Sequence, residues 1–185
     1  MALSISNTIQ KQIDPMKIKV SLGWKEQNGF HNFDLDLSAF LLNKDGQVRH
    51  DGDFIFYNQL QSQCGSVRHL GDEKDGNDDG DAEVIIIDLA SLDQNVVAIN
   101  ICVTIHEAHQ FDYSFGMVSE AYLRIFDENT SEEKIYCSLS EDMSTGSNII
   151  LAQLLRKKNE WKFELVSRYH EGSLRSLAQE HGVHI

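Results

Sequence analysis

Residues 71 to 83 read Gly-Asp-Glu-Lys-Asp-Gly-Asn-Asp-Asp-Gly-Asp-Ala-Glu, seven carboxylates against one lysine. Two like charges about 5 Å apart repel by roughly 3 kcal/mol at an effective dielectric near 20. A loop this acidic calls for a counter-charge, and calcium, a hard divalent ion that takes roughly six to eight oxygen ligands, is the first candidate. Asp75-Gly76-Asn77-Asp78-Asp79-Gly80 satisfies the first half of the EF-hand loop pattern, in which alternating oxygen donors curl round one ion and a glycine permits the sharp turn. The closing glutamate of that pattern would fall at Ile86, and no helical pattern flanks the loop. The loop shares the EF-hand's chemistry but not its fold. Asp75, Asn77 and Asp79 are therefore candidate ligands, with Asp81 and Glu83 completing the shell from the start of the next strand. The competing reading is a solvated acidic turn that holds no ion.

Asp34 and Asp36 form the second informative pair. Two residues apart on a strand, they share one face, opposite Phe33, Leu35 and Leu37. Near a sheet end they would close on the acidic loop as the opposite wall of a composite site, with donors for one calcium ion and room for a second. Magnesium fits less well, since it keeps its waters and needs fewer protein oxygens. Other motifs are weaker. His106-Glu107-Ala108-His109 is one residue short of the zinc motif His-Glu-x-x-His and follows a strand pattern. Glu107 reads either as a peripheral calcium ligand or, more commonly, as a structural hydrogen-bond acceptor. His181-Gly182-Val183-His184 reads as a frayed tail, and Cys102 as a buried, inert thiol. A glycosidase-type carboxylate pair is conceivable in so acidic a chain, yet a crowd of carboxylates in one loop is a cation cage rather than a tuned pair. No catalytic activity is expected.

The elements that must position these groups are strands. Alternating apolar residues mark Ile18 to Trp24, Phe33 to Leu41, Val97 to Ile105, Ala121 to Phe126, Ile135 to Leu139 and Trp161 to Leu165, with short strands at Phe54 to Tyr57, Val67 to Leu70 and Val84 to Ile87. Ile149 to Leu155 is almost wholly apolar and fits either strand or helix. Leu174, Leu177, Ala178 and His181 have helical spacing, with Ser173 as N-cap. The pattern predicts a mainly β protein, a sandwich of two antiparallel sheets with a few short helices, one of them near the C-terminus and covering an end or face of the sheets.

Length and a lone Pro15 suggest a single domain over residues 1–185. A formal charge of −13 argues against nucleic acid or an anionic membrane as an electrostatic partner and favours cations or a basic protein face. Three scattered cysteines, no zinc spacing, no bilayer-length apolar run and no signal-peptide pattern in Met1 to Ser6 lead to the expectation of a cytoplasmic protein.

Several segments together resemble the TerD family of tellurium-resistance and stress proteins. They are Phe33-Asp34-Leu35-Asp36-Leu37-Ser38-Ala39-Phe40-Leu41-Leu42, Asp53 to Asn58, the acidic loop, Val103-Thr104-Ile105-His106-Glu107-Ala108, Leu139 to Asp142, Glu160 to Phe163 and Gly182-Val183. The resemblance spans nearly the whole chain in order. It implies a calcium-binding β-sandwich without catalytic activity, acting as sensor or scaffold beside other proteins of the resistance system, including a membrane-embedded partner of the TerC type. Through that partner the protein would lie peripheral to the inner membrane. It also implies ligands at Asp72, Asp79, Asp81 and Glu83. The chain departs from the family's usual loop at Glu73, Asp75, Asp78 and Ala82, which stand where Asn, Thr, Gly and Asp are common. Ala82 removes a carboxylate, so one ion is the firmer expectation and the second is in doubt. The alternative function is a small-ligand module that binds a nucleotide or phosphate through bound calcium.

Overall fold

The computed structural model describes residues 10–13, 16–25, 33–71, 82–139, 146–158 and 160–185. Eleven strands are described: β1 (Gln10–Ile13), β2 (Lys17–Lys25), β3 (Leu35–Leu42), β4 (Phe54–Ile55), β5 (Val67–His69), β6 (Glu83–Asp88), β7 (Ala98–Ile105), β8 (Ser119–Asp127), β9 (Glu133–Ser138), β10 (Asn148–Lys157) and β11 (Glu160–Tyr169). They form two antiparallel sheets, a six-stranded one ordered β1-β11-β10-β7-β3-β4 and a five-stranded one ordered β5-β6-β2-β8-β9. Two short helices, α1 (Ala108–Phe111) and α2 (Leu174–Glu180), complete the described elements together with two 3₁₀ turns. The expected sandwich is the observed fold.

The alternation read from sequence is the alternation of burial. Ile18, Val20, Leu22 and Trp24 of β2 meet Leu35, Leu37, Ala39 and Leu41 of β3 and Ile99, Ile101, Val103 and Ile105 of β7 in one inter-sheet core. At about 25 cal/mol per Å² of apolar surface, burial on this scale is the main force holding the sheets together. The ambiguous segment is strand β10, and its uniform apolarity has a local cause. The ladder shifts between Ile150 and Ala152 on both flanks, a bulge that turns Ile149, Leu151, Ala152 and Leu154 all inward. Ile150 faces outward, yet it too is buried, because α2 covers that side.

α2 lies on the outer face of the six-stranded sheet, packing Leu177 and Ala178 with Phe40, Phe54, Cys102 and Ile150. Ser173 caps it reciprocally: Ser176 N donates to Ser173 Oγ (3.3 Å), and Ser173 N donates to Ser176 Oγ (2.9 Å). The tail beyond is docked, contrary to the frayed tail expected from sequence. Val183 is buried, His184 N donates to Asp51 Oδ1 (2.9 Å), and His181 stacks on Phe40 at 4.2 Å between ring centroids. His181 Nδ1 donates to Leu177 O (2.7 Å) and Nε2 accepts from Asn100 Nδ2 (2.9 Å), which fixes a neutral imidazole.

Burial holds the His181 pKa below its ordinary value, with the bond to Leu177 O opposing that shift. The unfolded chain takes up this proton near pH 6.5. The contribution to stability is therefore full above that pH and falls as pH drops through the lower folded value. Replacing His181 by Asn is expected to cost about 1 kcal/mol at pH 7.5. It should also flatten part of the stability loss between pH 7.5 and 5.5, read by urea unfolding of both proteins; equal pH slopes would contradict this.

Candidate functional site

β4 pairs only with Ala39 and Phe40 of β3. Beside residues 35–38 that edge of β3 has no strand neighbour among the described residues, and its backbone groups need partners from elsewhere. The other sheet supplies them. Leu37 N donates to Glu83 Oε2, and His69 Nε2 lies 3.2 Å from Leu37 O. Gly71 N donates to His69 Nδ1 (3.1 Å), so the ring is the tautomer with its proton on Nε2, donating to Leu37 O. His69 Nε2 and Glu83 Oε2 are 3.7 Å apart, and both side chains are fully buried. Two polar side chains thus tie the edge of one sheet to the other.

This tie also fixes where the acidic loop begins and ends. Gly71, the last described residue before it, is held by His69. Ala82, the first after it, donates its N–H to Leu22 O (2.8 Å), and its methyl packs into the inter-sheet core. The residues that flank the loop are therefore tied to Leu37, the neighbour of Asp36 in the chain, through the side chains of His69 and Glu83. Asp72, Asp75, Asn77, Asp79 and Asp81 lie outside the described residues.

Asp36 lies on the outer face of β3, and Asp34, one residue before the strand, alternates with Phe33 and Leu35, which face the core as Leu37 does. Asp36 is buried and its Oδ2 is 3.6 Å from His106 Nδ1; His106 N donates to Asp34 O (2.8 Å). Asp34, Asp36 and Glu83 thus all belong to the neighbourhood of Leu37, Glu83 at the strand edge and the aspartates on the outer face. Among the described residues no three His, Cys, Asp or Glu side chains converge on one point as a metal centre. The described donors are carboxylate oxygens, which suit a hard cation. The thiols are elsewhere: Cys102 is fully buried with its pKa pushed well up by desolvation, and burial pushes Cys137 up to about 11.

Across the sheet from Asp36 the register sets a polar row. Asp36 pairs with Thr104 of β7, and Thr104 with Asn148 of β10. All three are buried on the outer face. α2 covers the rows further along but not this one, leaving a cavity of about 350 Å³ over it, walled by Tyr57, His106 and Arg175. Its roof is pinned through Gly172 O, which accepts from His109 Nε2 and from Asn148 Nδ2 (2.6 Å). His106 and His109 thus serve different partners and do not form the helical zinc pair. Glu107 between them has a left-handed backbone (φ 51°). Sequence reasoning missed His69, Thr104 and Asn148. Only His69 carried a local signal, as an inward-facing polar residue in phase with Val67.

A family model described as TerD domain matches residues 4–181. The chain belongs to the TerD family. The TerD-family chain is 40% identical over 171 residues to general stress protein 16U of Bacillus subtilis, covering 91% of this chain and 89% of that one. It is 40% identical over 189 residues to the tellurium resistance protein TerD of Serratia marcescens, covering 99% and 98%. Among solved structures, a homologue of telluride resistance protein (TerD) from Streptomyces coelicolor A3(2) superposes with a TM-score of 0.73 at 17% identity, covering 89% of this chain and 95% of that one. At that identity the likeness speaks for the TerD fold alone. No helix among the described residues is long and apolar enough to cross a membrane.

Proposed function

We propose that this TerD-family chain is a non-catalytic calcium-binding protein of a tellurite-resistance or chemical-stress response, acting as a sensor or scaffold. The observation that carries the reading is that His69 and Glu83, at the two flanks of the acidic loop, both bond to Leu37, in the stretch of chain that carries Asp34 and Asp36. A loop tethered there brings its own oxygens back to carboxylates already in place. Asp34, Asp36, Asp72, Asp75, Asn77, Asp79, Asp81 and Glu83 would hold the ion, and calcium would supply the positive charge that lets the loop close. Since the Ala82 methyl belongs to the core, one ion is the simpler reading. Calcium bound and calcium free would give a partner two states of the protein to distinguish, which suits a cytoplasmic scaffold working beside a TerC-like membrane protein.

Calcium bound at a hundredfold excess over Kd adds about 2.7 kcal/mol to folding stability. For a chain of this size that raises Tm by roughly 5–10 °C relative to chelator. Asp79→Ala with Asp81→Ala should remove the shift. Coincident midpoints with calcium and with chelator would defeat the reading; a shift that survives the double substitution would move the ion elsewhere. A second reading, a small-ligand module that uses bound calcium, is favoured by the cavity beside Asp36.

A further inference from the structure

The cavity over the row Asp36, Thr104 and Asn148 has the features of a built site. Its volume of about 350 Å³ lies at the lower end of the range of roughly 300–1,000 Å³ that holds small organic ligands, and is ample for more than a bare ion. Thr104 lines it, and its Oγ1 is buried with no hydrogen-bond partner among the described residues. A buried hydroxyl without a partner costs free energy, and is a donor waiting for an acceptor. Asn148 spends its amide nitrogen on Gly172 O and Ser147 Oγ (3.2 Å). Arg175 stands exposed on the wall and makes no ion pair among the described residues. Tyr57 and Leu174 add an aromatic and an aliphatic surface. The larger cavity, about 570 Å³ beside Arg156 and Trp161, is lined by no acid, histidine or thiol.

We propose that the cavity binds a small organic oxyanion, a phosphate monoester, whose anionic head sits between Arg175 and the cation that Asp36 helps to hold, accepting from Thr104 Oγ1. The proposal rests on the calcium reading above. Without a cation the lining carries the carboxylates of Asp36 and Glu107 against one guanidinium, a poor place for an anion. With a divalent ion on Asp36 the balance reverses, and the guanidinium and cation bracket the phosphoryl oxygens from two sides. The organic remainder lies against Tyr57 and Leu174.

Titration calorimetry of the full chain with AMP and with inorganic phosphate, each in calcium and in chelator, tests this. AMP is expected to bind in calcium, to lose its affinity in chelator, and to bind at least about tenfold more weakly to Thr104→Val and to Arg175→Gln. Both variants should keep the calcium-dependent melting shift of the parent, which also reports that they fold. AMP binding unchanged by both substitutions, or absent while that shift persists, overturns the cavity assignment and leaves the calcium reading standing. Inorganic phosphate binding as tightly as AMP overturns the organic ligand. A missing calcium shift overturns the calcium reading itself, and AMP affinity indifferent to chelator then removes the cation from this site.

Discussion

Phe40→Ala is expected to destabilise the protein by about 4 kcal/mol. Phe40 is fully buried on the outer face of the six-stranded sheet, where surface strands are ordinarily polar. It stacks on Phe54 at 4.4 Å and on His181 at 4.2 Å, and Phe54 stacks in turn on Phe56 at 4.2 Å, all nearly parallel. This ladder carries α2 and the C-terminal tail. Truncating its middle ring leaves a void under a helix of seven residues, too short to stand alone, and removes the face on which His181 rests. Phe40→Leu, which keeps most of the volume, should cost much less. Equilibrium urea unfolding reads the energy, and hydrogen exchange of residues 174–183 reads the cause: their protection should collapse in the alanine variant. A cost below about 1.5 kcal/mol with protection intact would mean that the helix does not depend on this face.

How legible this was in the sequence depended on how local each cause is. β2, β3 and β7 each bury one face in the same core, so period-two alternation identified them. β10 defied the rule because the bulge at Leu151 changes phase in mid-strand while α2 buries the other face, and neither event leaves a periodic trace. β1 has four residues and no alternation, and α1 is a single turn. The docked tail was misread for a similar reason: the partners of His181, Asn100 and Phe40, lie far back in the chain. At the candidate site, the shared face of Asp34 and Asp36 followed from spacing alone. The row Asp36, Thr104, Asn148 did not, because it is created by register across three strands separated by long stretches of chain. The loop's own residues, and the family resemblance after them, supplied Glu83 as a ligand, but nothing local announced that it also ties Leu37 to the other sheet.

That double duty makes Glu83 the most informative single position. Glu83→Ala strips a buried edge amide, Leu37 N–H, of its acceptor and takes away the carboxylate that stands 3.7 Å from His69 Nε2. A loss of about 3 kcal/mol is expected, with or without calcium, because the sheet-to-sheet tie is broken in both conditions. Glu83→Gln separates the roles. Its amide oxygen still accepts from Leu37 N–H, so in chelator the variant should stay within about 1 kcal/mol of the parent. In calcium it should lag further, because a neutral oxygen replaces an anionic one that counts toward the charge around the ion. Thermal melts of the three proteins in calcium and in chelator therefore give a signature. Alanine lowers both curves, whereas glutamine lowers mainly the calcium curve. If glutamine keeps the full calcium shift, Glu83 is a strut alone, and the ion depends on Asp34, Asp36 and the aspartates of the loop. If glutamine is as damaging as alanine in chelator, the charge itself holds the edge, through His69, and the tie is electrostatic before it is a ligand.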